Sequence, residues 1–224
     1  MKIAIIAAMS KELALLLPMI EGRHTNDILG YKLHFGKIDG HEVAAMQSGI
    51  GKVNAALATQ ALIESFRPDL VVNTGVAGGV GKTHVLELVI PSAVAYHDVW
   101  CGPGTVQGEA AGCPLKFPCF VPEGLSEAVR CNHGLLASGD IFVSKPGEVD
   151  EILSLYPDAV AVDMESAAIA QTCFLRSTPF ACIRVISDTP GEADNISQYE
   201  SFWEDAPRAT FGALKAFINC IPLN

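Results

Sequence analysis

The chain has 224 residues; half are apolar, 18% are charged, and the net charge is −10. That length suits one domain with a full core, the apolar content excludes disorder, and an acidic chain without a basic face is a poor partner for nucleic acid. No apolar run approaches the ~20 residues of a membrane span, and so few charges leave apolar surface that a contact between copies would cover.

Residues 2–8 are a near-continuous apolar run, the pattern of a strand covered on both faces. Lys11 and Glu12 stand where a leader's cleavage site would fall, so the run is read as a strand and not as a signal peptide. Ser10 is the expected cap of a helix over 11–17, closed by Pro18, with Glu12 in its first turn. Residues 31–35 alternate, Asp39-Gly40 is a turn pair and 42–46 resume as strand, which predicts a hairpin. A helix is spaced over 51–66 and stops before Pro68. A second buried strand covers 69–73 and leads into a glycine loop, Gly75-Val-Ala-Gly78-Gly79-Val-Gly81.

Residues 85–95 read as another long strand, ending at Tyr96-His97-Asp98. Residues 101–122, rich in Gly, Pro and Cys and without period, read as a long functional loop. Then come a helix over 123–131, an extended stretch over 135–142, a helix over 148–156, a short strand over 159–162 and a helix from 164 to about 175. A last buried strand covers 180–186, and the C-terminal helix runs from about 200 to 217. Strands alternating with helices, plus one hairpin and no linker, predict a single α/β domain over 1–224, a sandwich around a central sheet. Seven scattered cysteines without a CxxC pair argue against a disulfide framework or structural zinc, and for a reducing cytoplasm.

Two apparent motifs carry no chemistry. Gly81-Lys82-Thr83 imitates the end of a phosphate-binding loop, but the position five before Gly81 is Val76, and a strand is expected next where a helix is required. The six histidines lack metal-ligand spacing, and His97-Asp98 reads as a local hydrogen bond at a loop entrance. The strand ends are more informative, because open α/β folds bind ligands beyond the carboxyl ends of their strands. Four such ends carry Ala8-Met9 with Glu12, the glycine loop whose N–H groups can face a polar ligand, Asp163-Met164-Glu165, and Arg184 with Ser187-Asp188. Singly, Glu12 and Glu165 read as helix-dipole partners and Asp188 as a turn residue. Together, carboxylates and an arginine at converging strand ends predict an acid–base site.

Seven segments then appear in order: Ala8-Met9 with Glu12, Ser48-Gly-Ile-Gly-Lys52-Val-Asn-Ala-Ala, Asn73-Thr-Gly-Val-Ala-Gly-Gly79, Tyr96-His-Asp98, Ser138-Gly-Asp-Ile-Phe142, Val162-Asp-Met-Glu165-Ser-Ala-Ala-Ile-Ala170 and Arg184-Val-Ile-Ser-Asp188. On these the chain resembles the 5′-methylthioadenosine/S-adenosylhomocysteine nucleosidase family of the purine nucleoside phosphorylase superfamily. The resemblance covers all but 101–122 and 189–199. It implies a three-layer α/β/α sandwich with a central mixed sheet, and a cytoplasmic homodimer without metal or organic cofactor. The implied reaction cuts the N-glycosidic bond of methylthioadenosine, S-adenosylhomocysteine and 5′-deoxyadenosine, giving adenine and a 5-modified ribose through an oxocarbenium-like transition state.

The family's roles then fall on this chain's residues. Asp188 becomes the acid that protonates purine N7, and Glu12 the base that activates water, with Arg184 positioning Glu12. Glu165 accepts both ribose hydroxyls and Met164 packs on the sugar. Phe142 lies beside adenine, the Val143 backbone reads its edge, and Met9 and Ile50 form the 5′-thioalkyl pocket. Val76, Ala77, Gly78 and Ser187 complete the walls. Two departures stand out. Val76 replaces a serine common in the family, and the aromatic that a partner subunit donates has no counterpart in Gly102-Pro-Gly-Thr-Val106, where Trp100 is the nearest substitute.

Three alternatives stay open. A nucleoside phosphorylase is opposed by Glu12, since a carboxylate facing a phosphate dianion is repulsive in a low-dielectric cleft. A nucleosidase for another 5′-modified nucleoside, such as futalosine, would share the catalytic residues. A non-catalytic nucleoside-binding protein would have no need of Glu12, Glu165, Arg184 and Asp188 together.

Overall fold

The computed structural model describes residues 1–81 and 83–223, with side chains for all of these except 204–211; Lys82 of the phosphate-loop imitation lies outside the described residues. The first half of the chain forms β1 (Lys2–Ala7), α1 (Ser10–Leu16), β2 (Glu21–Ile28), β3 (Tyr31–Ile38), β4 (His41–Gln47), α2 (Lys52–Phe66), β5 (Leu70–Gly79), β6 (Leu88–Val89) and β7 (Ala93–Tyr96). The second half adds β8 (Phe117–Pro118), α3 (Leu125–Ala128), β9 (Leu135–Ser138), α4 (Pro146–Leu155), β10 (Ala159–Asp163), α5 (Ser166–Leu175), β11 (Phe180–Asp188) and α6 (Asn195–Asn219).

The two most apolar early runs take the middle of one mixed sheet, of order β2-β3-β4-β1-β5-β10-β9-β7-β8. β1 runs parallel to both β4 and β5, and β5 is parallel to β11 on its other side. At its far end β5 turns to pair antiparallel with β10 through Gly78 and Gly79. Being paired on both sides and covered on both faces, Ile3, Ile5 and Ile6 are fully buried, each worth about 1.5–3 kcal/mol relative to exposure.

Helices α2 and α5 cover one face, where Ala55, Ala58, Leu62, Ala167 and Ile169 pack on Ala4, Ile6 and Val71. Helices α1 and α6 cover the other, with Leu13, Leu16, Leu214, Phe217 and Ile218 on Ile3, Ile5 and Ile183. α4 closes the β9–β10 end through Ile152. This is the expected three-layer α/β/α sandwich.

Several element bounds depart from the sequence reading. The hairpin is a three-stranded meander, because the exposed and polar β2 adds to β3. The glycine segment after residue 73 is not a loop: it continues β5 to Gly79, paired with β11 as far as Gly78 and with β10 at Gly78 and Gly79. Residues 85–95 split into β6 and β7, since Pro91 interrupts the ladder between them. The helix expected over 123–131 shrinks to α3, which starts at the left-handed Gly124 and ends where Val129 turns extended. Extended structure over 135–142 stops at Ser138; beyond it Gly139 runs so close to His97 that a Cβ there would lie 2.5 Å from its Nε2. Ser10 is not the cap of α1; Met9 is. Two late elements are longer than expected: β11 includes Asp188, and α6 begins at Asn195.

Candidate active site

One cavity, about 620 Å³ counting its open mouth, lies where β1, β5, β10 and β11 end, within the size range of small-molecule sites. Its wall contains Met9, Glu12, Ile50, Val76, Ala77, Gly78, Phe142, Val143, Met164, Glu165, Ser187 and Asp188, so the fold brings together every expected site residue except Arg184.

Glu12 stands in the first turn of α1, 4% exposed. Its Oε2 accepts the Met9 N–H at 2.8 Å, tying the third helical residue back to the cap, and its Oε1 accepts the Val76 N–H at 3.1 Å. Gly75 makes room for it: a Cβ there would sit 2.5 Å from Oε1. Burial pushes the Glu12 carboxyl above the usual range, against the pull of the Met9 N–H, the Arg184 charge and the Val76 N–H. The replacement of serine by Val76 therefore leaves a backbone donor in use.

Asp188 ends β11 and is 2% exposed. Ser187 Oγ donates to its Oδ1 at 2.6 Å and Asn195 Nδ2 to its Oδ2 at 2.8 Å. Burial raises its pKa, and these two hydrogen bonds restrain the rise. Glu165, the N-cap of α5, accepts the Gly51 N–H on Oε1 at 2.8 Å. Burial first, then the negative charge of Asp163, push it up to about 7. Three carboxyls thus hold protons more tightly than free side chains do, which suits acid–base work near neutrality.

Arg184 corrects one expectation. It makes no hydrogen bond to Glu12 and does not line the cavity. It is buried behind the site, where its Nη2 pairs with Asp163 Oδ2 at 2.6 Å and its Nη1 donates to the Asn73 carbonyl at 3.2 Å. Nη2 also donates to Ser166 Oγ at 2.9 Å and to the Asn73 side chain, while Ser166 Oγ donates to Asp163. Arg184 therefore anchors the turn that carries Met164 and Glu165. Removing one partner of a pair buried this deeply costs about 3–5 kcal/mol.

The segment over 139–144 forms another wall and is held to two other strand-end loops. Asp98 Oδ2 accepts both Lys52 Nζ and the Asp140 N–H at 2.8 Å, and Asp140 Oδ1 accepts the Lys52 N–H at 2.7 Å. The bland reading of His97-Asp98 changes accordingly: Asp98 joins the segment with Phe142 and Val143 to the start of α2, whose Gly51 serves Glu165. Residues not singled out from the sequence also contribute. Tyr199 of α6 lines the cavity, meets Phe142 edge-on at 5.8 Å and donates to Met9 Sδ at 3.5 Å. Asn195 donates to Asp188, and Ile141 and Pro190 fill the wall. The aromatic spacing Tyr199, Phe202, Trp203 was the available signal for a helix face turned toward a site. Among the described residues no three His, Cys, Asp or Glu side chains converge as metal ligands would.

Comparison with known proteins finds relatives over nearly the whole chain. The family model for the phosphorylase superfamily matches residues 2–219. A 5′-methylthioadenosine/S-adenosylhomocysteine nucleosidase of Geobacillus thermodenitrificans is 41% identical over 220 residues, covering 93% of this chain and 92% of the relative. The structure of such a nucleosidase from S. pneumoniae with the transition-state inhibitor MT-ImmA superposes with a TM-score of 0.93 at 35% identity, over 99% of this chain and 100% of that one. A futalosine hydrolase of Helicobacter pylori superposes at 0.88 with 25% identity, over 98% of both chains.

Proposed function

The chain belongs to the phosphorylase superfamily, as a member of its 5′-methylthioadenosine/S-adenosylhomocysteine nucleosidases, and from that premise we propose that it hydrolyses the N-glycosidic bond of these adenine nucleosides and of 5′-deoxyadenosine, releasing adenine and the 5-modified ribose. The observation that carries this reading is the set of three buried carboxyls, Glu12, Glu165 and Asp188, each oriented by a different donor set around one largely apolar cavity.

The adenine lies beside Phe142, with the Val143 backbone at its edge. Asp188, whose burial raises its hold on a proton, is the acid that protonates purine N7, so the base leaves neutral. Glu165 grips the ribose hydroxyls with the oxygen that Gly51 leaves free, and its charge favours the cationic sugar of the transition state. Met164 packs on the sugar. Glu12, fixed by two backbone N–H groups, takes the proton of the attacking water. The 5′ group lies among Met9, Ile50 and Tyr199. Arg184 acts through Asp163, holding the Glu165 turn. No step passes through a metal or organic cofactor. A phosphorylase is disfavoured because the buried Glu12 carboxylate would repel a phosphate dianion. Asp188→Asn tests the assignment: turnover should fall at least ~10²-fold while a non-hydrolysable nucleoside analogue still binds. Near-wild-type hydrolysis by the folded variant would remove Asp188 from the mechanism.

We further infer a homodimer that closes the 5′ end of the cavity. On α2 and the turn before it, Ile50, Val53 (70% exposed) and Leu57 (58%) form an apolar face one turn apart. Trp100 (59% exposed), two residues past the Asp98 that bonds Lys52, and Ile141, next to the Asp140 that bonds Asp98, are further exposed apolar side chains. Light scattering over a dilution series tests this; a fully active monomer at all concentrations would contradict it. The seven free cysteines fit a reducing cytoplasm, where removal of these nucleosides would serve methionine salvage. Among the described residues no helix is long and apolar enough to cross a membrane.

A further inference from the structure

Glu12 also borders a second, smaller chamber. It measures about 250 Å³ counting its mouth, and Glu12 is the one described residue that its wall shares with the nucleoside cavity. Leu15 and Leu16 of α1, Met19 of the turn after it and Leu214 of α6 give it an apolar lining, and Gly75 adds no side chain to fill it. Leu16 and Leu214 are buried, while Leu15 and Met19 are half-buried. The space inside suits about one water molecule.

The remaining lining residue is Thr74, 3% exposed. Side chains alternate along β5, and Val72, two residues earlier, packs in the layer of α1 and α6. Thr74 faces the same layer, yet its hydroxyl has no hydrogen-bond partner among the described residues. A buried hydroxyl left unpaired is costly, and valine has almost the same outline without that cost. A threonine at this place therefore points to something polar in the chamber. Glu12 is the only other polar side chain of the described lining. Its oxygens accept the Met9 and Val76 N–H groups, and each carboxylate oxygen can accept a second donor. Between Thr74 and Glu12 a water finds the pair of polar partners that a buried water needs.

Resting on the nucleosidase reading above, we propose that this chamber holds a water that accepts from the Thr74 hydroxyl and donates to the Glu12 carboxylate, which makes Thr74 a positioning residue for the base. A bond donated to the carboxylate favours its ionised form, the one able to take a proton from the attacking water. Among the described side chains, Glu12 also feels Arg184 from β11, Glu165 from the start of α5, its neighbour Lys11 and the Tyr199 hydroxyl from α6. None of these groups lines the chamber, so exchanging Thr74 leaves them in place.

The test compares wild type, Thr74→Val and Thr74→Ser. A high-resolution crystal structure of the wild type should show a water within hydrogen-bond distance of both Thr74 Oγ1 and the Glu12 carboxylate. With methylthioadenosine as substrate, Thr74→Val should move the acid limb of the kcat/KM profile to higher pH by about one unit, the worth of one hydrogen bond to a charged group. Thr74→Ser keeps the hydroxyl and should restore the wild-type limb. A dry chamber, an acid limb that Thr74→Val leaves in place, or equal shifts in both variants would overturn the proposal. Wild-type protein that holds the water yet releases no adenine would overturn the nucleosidase reading itself, a different failure.

Discussion

Replacing Glu165 by glutamine should cripple the site and stabilise the fold, the second effect growing with pH. Burial and Asp163 raise this carboxyl from its ordinary 4.5 to about 7. A group whose folded pKa is raised contributes fully to stability below its unfolded pKa, and the contribution is lost as pH rises through the folded one. At about 1.4 kcal/mol per pKa unit, the raised pKa destabilises the fold by about 3 kcal/mol at pH 8, where Glu165 is ionised, and by only about 1 kcal/mol at pH 5.5, where the folded carboxyl keeps its proton. Glutamine carries no charge, and its carbonyl oxygen can still accept the Gly51 N–H that Oε1 accepts now. For a chain of this size the unfolding midpoint should then rise by about 6–12 °C at pH 8 and about 2–4 °C at pH 5.5. The assay is thermal unfolding of both proteins, without ligand, at the two pH values. A midpoint no higher than wild type at pH 8, or a gain independent of pH, would show that the fold does not raise the Glu165 carboxyl. Nucleoside affinity and turnover should both fall, since the carboxylate acts on the sugar before and during bond cleavage.

Gly75→Ala should cost turnover more than stability, because the added Cβ meets Glu12 Oε1 at 2.5 Å and a displacement of about 1 Å at a catalytic group can cost ~10²-fold; normal turnover would show that Glu12 needs no fixed position. Asn195→Ala removes a hydrogen bond that favours ionised Asp188, so the alkaline limb of the pH–rate profile should move to higher pH, and a shift to lower pH would contradict the acid role. Asp98→Asn weakens the Lys52 pair and should raise KM for the nucleoside by loosening the 139–144 segment, measured in steady-state kinetics; an unchanged KM would mean that this segment holds itself.

The parts of the fold that were legible in sequence are those whose pattern reports burial on both faces. Residues 2–8 and 180–186 read as central strands because nothing polar interrupts them until Arg184, and Arg184 is tolerated there because Asp163, Asn73 and Ser166 surround it. β2 escaped notice because Glu21 to Asp27 are exposed and polar, held as a strand only by pairing with β3. The glycines from 75 to 79 imitate a loop, yet they are there so that strands and side chains can approach: Glu12 at Gly75, Pro190 at Gly78, Ile186 at Gly79. Among site residues, the motif segments carried Glu12, Glu165 and Asp188 to one cavity. They could not show that Arg184 bonds Asp163 and reaches Glu12 only through its charge. Asn195 and Tyr199 lie where the resemblance is weak, and only the start of α6 places them against Asp188 and Met9.

On the proposed function, water and not phosphate cleaves an adenine nucleoside in this cavity. The most direct measurement is product analysis in phosphate-free buffer with methylthioadenosine, S-adenosylhomocysteine, 5′-deoxyadenosine and futalosine side by side. Adenine and the free 5-modified ribose should form from the first three, at rates that added phosphate leaves unchanged. Turnover that requires phosphate and yields a ribose 1-phosphate, or cleavage of futalosine alone, would contradict the account.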